Sequence, residues 1–61
     1  MKKIHKEILS IIKCNEGICF EEIQFVLGHK YDDEQLKDSL SVLLDKCKIE
    51  LDLSTHLYVL K

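Results

Sequence analysis

The 61-residue sequence predicts an α+β fold of three helices followed by a β-hairpin, in one domain spanning residues 1–61. Three observations carry that expectation. Apolar residues recur at helical spacing in three separate segments before residue 48, the stretch 49–60 switches to strict alternation, and turn or capping residues mark the joins.

The first helix rests on Ile4, Ile8, Ile11 and Ile12, which fall at i, i+4, i+7 and i+8 and so share one face of a helix of about ten residues, broken at "CNEG" by Glu16 and Gly17. A short extended "GIC" follows, and Gly17–Cys19 can add a third short strand to the hairpin. In the second helix Phe20, Ile23, Val26 and Leu27 form the expected buried stripe, closed by Gly28 in a left-handed turn. Cys19 precedes Glu22 at capping-box spacing, but thiol sulfur is a weak acceptor, so this cap is poorer than serine would make it.

The third helix, expected over residues 32–47, has the strongest signals. Asp32 and Gln35 repeat the capping-box spacing with an oxygen acceptor, and Asp33 and Glu34 lie in the first turn, where carboxylates favour the positive end of the helix dipole. Leu36, Leu40, Leu43, Leu44 and Cys47 then follow at i, i+4, i+7, i+8 and i+11. In the last segment Ile49, Leu51 and Leu53 alternate with Glu50 and Asp52, "DLST" supplies a turn, and "HLYVLK" returns as a strand. Leu57 and Val59 face one side of that strand and Tyr58 and Leu60 the other, so a strand at the sheet edge is expected to be apolar on both faces.

A chain of this size buries only about 60% of the surface that its unfolded form exposes, which leaves little room for an enclosed active site. With 46% hydrophobic and 33% charged residues the composition is that of a folded chain. No apolar run approaches the roughly 18–20 residues that span a bilayer, and "MKKIHKE" lacks a signal-peptide core, so an intracellular location, cytoplasm or nucleus, is expected. Three cysteines with no CxxC pair fit reduced thiols.

Those cysteines, Cys14, Cys19 and Cys47, and the histidines His5, His29 and His56 lack the paired spacing of a structural zinc site, so no metal is expected. Cys14 and Cys47 read as small apolar residues at helix ends. Cys19 has no histidine near it in sequence to act as a base, and there is no Gly-rich phosphate loop. The expectation is therefore no enzyme, no cofactor and no small-molecule substrate.

Three helices followed by a hairpin wing is the element order of a winged helix-turn-helix domain, a fold that invites a DNA-binding reading. Charge argues against it. Residues 1–15 carry four lysines against Glu7, a net +3, while residues 16–61 carry five lysines against ten acids, a net −5; the chain has no arginine. DNA affinity comes mainly from phosphate neutralisation, and the commonest specific base contact is a bidentate arginine. The third helix holds Asp32, Asp33, Glu34, Asp38 and Asp45 against Lys37 and Lys46, with the acids crowded at the end that would enter the groove. If DNA is bound, Lys2, Lys3, Lys6, Lys37, Lys46 and Lys48 must supply the phosphate contacts, Gln35 and Ser39 the base contacts, and a homodimer would form through the first helix or the last strand. A protein partner is favoured instead: Phe25 and Val42 lie off the main stripes of their helices, Leu57 and Val59 form one face of the doubly apolar strand, and Asp33, Glu34 and Asp38 offer an acidic surface.

The layout also resembles the C-terminal winged helix of cullins and of the cullin-like subunit of the anaphase-promoting complex. "ILSIIK" is similar to the cullin segment that ends in a lysine modified by a ubiquitin-like protein, and "GICFEEI" keeps its spacing to the second helix. "LKDSLSVLLDKCKIE" is similar to the third-helix segment and "LYVLK" to the Tyr-containing terminal strand. The resemblance implies a non-catalytic role in a ubiquitin-ligase assembly, docking a partner such as a ubiquitin-carrying enzyme, with Lys13 at the acceptor position. The short turn before "YDDEQL" is closer to the anaphase-promoting subunit, in which that modification is not expected. Cys47 stands where DNA-binding winged helices usually place a helix-ending glycine, and the turn before the third helix is slightly longer than theirs.

Overall fold

The computed structural model describes residues 2–61. Helix α1 runs Lys3–Asn15, α2 Phe20–Leu27 and α3 Asp33–Asp45, followed by strands β1, Ile49–Asp52, and β2, Leu57–Leu60, so the expected order of elements is present in a winged-helix-like layout.

Helix α1 is longer than its apolar stripe alone required, at 13 residues. It ends because Glu16 turns left-handed at φ 52° and Gly17 takes φ 127°, a region that a side chain disfavours. The chain then passes through Ile18, whose N–H and carbonyl pair with Tyr58 at 3.0 and 2.8 Å. The third strand is thus a single antiparallel bridge. β2 therefore has β1 along one side and the single Ile18 bridge on the other, so the edge expected to be open in "HLYVLK" is covered at Tyr58.

Helix α2 buries Ile23 and Leu27 with Phe20 partly covered, but Val26 is exposed. At 100° per residue Val26 falls well to one side of the arc shared by the other three. Gly28 also differs from expectation, since it keeps right-handed dihedrals, φ −63° and ψ −19°. Its glycine is explained by proximity: its N–H donates to the Gln24 carbonyl at 2.7 Å, and a Cβ there would collide with that same oxygen.

Helix α3 opens on the expected capping box. Gln35 N–H donates to Asp32 Oδ1 at 2.8 Å, and Asp32 N–H donates to Gln35 Oε1 at 3.1 Å. It closes two residues earlier than its stripe suggested. Cys47 N–H bonds to the Leu44 carbonyl at 3.1 Å and Lys48 N–H to the Leu43 carbonyl at 3.0 Å, the paired bonds of a Schellman motif. Cys47 holds the left-handed position at φ 59°, where glycine is usual, and its side chain leaves the apolar stripe. Both Cys47 and Cys14 are exposed, not apolar plugs at helix ends, and all three thiols are free.

The hairpin pairs Ile49 with Leu60, Glu50 with Val59, Leu51 with Tyr58 and Asp52 with Leu57. Opposed residues share a face, so Ile49, Leu51, Tyr58 and Leu60 look towards the helices while Leu57 and Val59 share the outer face with Glu50 and Asp52. Asp52 Oδ1 accepts from Ser54 N–H at 2.9 Å and the Asp52 carbonyl from His56 N–H at 2.7 Å, which closes the turn with His56 left-handed. Leu53 falls in this turn and is 77% exposed, so it does not extend the buried face of β1.

One cluster holds these elements together: Ile8 and Ile12 of α1, the bridge residue Ile18, Ile23 and Leu27 of α2, Leu36, Leu40 and Leu43 of α3, and Ile49 of β1. Ile4, Leu9, Ile11, Phe20, Tyr31, Leu44 and Tyr58 pack around it. No described helix is long and apolar enough to cross a membrane.

Candidate functional site

The chemistry of the outer surface of α3 follows from the capping and packing just described. Asp33, Glu34, Asp38 and Asp45 are exposed, with Lys37 and Lys46 the only cations of the 32–47 segment beside them. The two neutral residues expected to read bases are both occupied. Gln35 holds the Asp32 backbone in the capping box, and Ser39 is only 4% exposed. Ser39 stands three residues after Leu36 and four before Leu43, so helical spacing already places it beside the stripe. The exposed hydroxyl of the helix is Ser41, which the sequence reading missed. Lys37 Nζ lies 5.8 Å from the centroid of the Phe20 ring, a cation–π contact that directs it across the surface towards α2.

The apolar candidates separate into two kinds. Phe25 is 89% exposed on α2, beside exposed Val26. Leu57 and Val59 are half-buried, and they close over the backbone of Gly17: a Cβ there would meet Val59 Cγ1 at 3.2 Å and Leu57 Cδ1 at 3.5 Å. Val42 is half-buried as well. It lines an open groove of about 650 Å³ between the start of α1 and the length of α3, together with Lys2, Ile4, His5, Tyr31, Gln35, Asp38, Ser39 and Lys46. His5 is buried at this groove, a placement that its sequence neighbours did not signal.

The lysines do not form one footprint. Lys2 and Lys46 border the α1–α3 groove, Lys37 covers Phe20, and Lys6, Lys13 and Lys48 gather on the opposite side of α1 against the hairpin. Lys3 is exposed at the start of α1. Lys13 is exposed in the last turn of α1, where a cation favours the negative end of the helix dipole.

Behind the α3 surface, Lys30 Nζ donates to Glu7 Oε1 at 2.7 Å, the one ion pair among the described residues. Lys30, and secondarily the nearby Tyr31 hydroxyl, hold the Glu7 carboxyl below its ordinary range, against the opposing pull of desolvation. Glu7 in turn raises both the Lys30 ammonium and the Tyr31 phenol above theirs. Glu7 Oε2 is buried without a hydrogen-bond partner of regular geometry. The contact fixes α1 to the turn that aims α3.

Among the described residues no three His, Cys, Asp or Glu side chains converge to hold a metal ion. The chemistry on offer is that of surfaces: an acidic helix face, an exposed aromatic and open grooves. No protein-family model matches the chain, and no curated protein matches it.

Proposed function

We propose that this domain is a non-catalytic docking module that engages a basic, partly apolar protein segment through the α2–turn–α3 region. The observation that carries the reading is the outward surface of α3. Its N-terminal half presents Asp33, Glu34 and Asp38, while the neutral groups that could have read bases are a cap, Gln35, and a buried hydroxyl, Ser39. Phe25, exposed in the last turn of α2, supplies the apolar anchor that such a partner would cover. The carboxylates would steer encounter more than deepen affinity. In the cullin-like form of this reading the partner is a ubiquitin-carrying enzyme and Lys13 is an acceptor for a ubiquitin-like protein; the element order and the exposure of Lys13 support it.

A second reading, DNA binding, draws on one observation: Lys2, Lys3, Lys6, Lys46 and Lys48 make no ion pair among the described residues and remain able to neutralise phosphates. Binding of that kind would run through α1 and be indifferent to sequence. Titration with duplex DNA at low and moderate salt separates the two. The docking reading expects no sub-micromolar binding, and tight binding that weakens steeply with salt would overturn it, because that slope counts phosphate contacts.

A further inference from the structure

The groove on the far side of α1 has a composition that the acidic α3 surface does not share. Lys6, Leu9, Ser10 and Lys13 of α1, Lys48 after α3 and Leu60 of β2 line an open depression of about 490 Å³. None of the six is acidic, and none of the three lysines is ion-paired among the described residues. Leu60 is 42% exposed here, at the end of the strand face that otherwise covers the core. The floor is thus apolar and the rim cationic. Three like charges around an apolar patch repel one another in the free protein, and an anionic occupant relieves that cost while covering the leucines.

We propose that this groove binds an acidic, amphipathic helical segment of a partner protein. The spacing of its own residues sets the pattern. Lys6, Leu9 and Lys13 stand at i, i+3 and i+7, so the backbone positions of the two lysines are about 10 Å apart along the helix axis at 1.5 Å rise per residue. A helix lying along α1 with carboxylates at i and i+7 and a leucine at i+3 or i+4 matches both the charges and the floor. A nucleic-acid backbone would use the lysines but has nothing to place against Leu9 and Leu60, which is why a peptide is the better occupant. This groove is separate from the α2–α3 surface, so the proposal stands or falls independently of the docking role suggested for that surface.

The test is an NMR titration of the isotopically labelled chain with a short synthetic helical peptide carrying Glu at i and i+7 and Leu at i+3 and i+4. Shifts are expected at residues 6–13, Lys48 and Leu60, with little change on α2. Lys13→Glu and Leu60→Ser are each expected to weaken binding by about tenfold or more. A peptide with serine in place of its leucines should weaken equally, and this comparison does not depend on any variant folding. Undiminished binding of the serine peptide would overturn the proposal. So would shifts that fall elsewhere, or duplex DNA that binds at these lysines with no effect of Leu60→Ser while the peptide does not bind.

Discussion

Lys30 Nζ stands 2.7 Å from Glu7 Oε1, joining the middle of α1 to the turn between α2 and α3. The pair makes stability depend on pH in a defined direction. Glu7 is depressed in the folded state, so its contribution is present above the unfolded carboxylate value and is lost as pH falls through the lower folded one. Lys30 and Tyr31 are raised, so theirs is present below their unfolded values and lost as pH rises through the folded ones. Denaturant unfolding of wild type and Glu7→Gln across pH should show a difference that is constant near neutrality and shrinks towards both the acid and the alkaline ends. A difference that stays flat into acid would rule out the pairing.

Cys47 occupies the left-handed position of a Schellman motif at φ 59°. Glycine adopts that conformation without a Cβ penalty, so Cys47→Gly should stabilise the domain by about 0.5–1 kcal/mol in thermal or urea unfolding. The side chain is exposed, and little packing is lost.

The caps of α2 and α3 make an opposed pair of predictions. Asp32→Ala removes the acceptor for Gln35 N–H and should cost about 1 kcal/mol. Cys19→Ser should gain up to about 1 kcal/mol, because the Cys19 thiol only approaches Glu22 Oε1 at 3.8 Å and caps no backbone N–H, whereas a hydroxyl oxygen accepts one well.

Gly17→Ala tests the bridge beside β2. At φ 127° an added Cβ is strained, and it would press on Val59 Cγ1 at 3.2 Å, so a loss of more than about 1 kcal/mol is expected. Disturbance should reach the Ile18–Tyr58 hydrogen bonds, readable as faster amide exchange at both residues.

Phe25→Ala should leave unfolding unchanged to within about 0.5 kcal/mol, since the ring is 89% exposed. On the docking reading the same substitution removes most of the affinity for a basic, partly apolar peptide. A stability loss above about 1 kcal/mol would show that the ring packs within the fold instead.

Short-range chemistry by itself determined the element order, the core stripes Ile8–Ile12, Ile23–Leu27 and Leu36–Leu40–Leu43, the Asp32–Gln35 cap and the acidity of α3, because periodicity, capping and formal charge act over a few residues along one chain segment. Tertiary structure decided what those rules leave open. The bridge from Ile18 covered the outer edge of β2 at Tyr58, and the approach of Gln24 explains Gly28 in a right-handed turn. The meeting of α1 with α3 buried Ser39 and His5, and the placement of α1 against the hairpin sorted the lysines into separate surfaces. Exposure is a property of what lies across from a residue, and only the packed elements supply that neighbour.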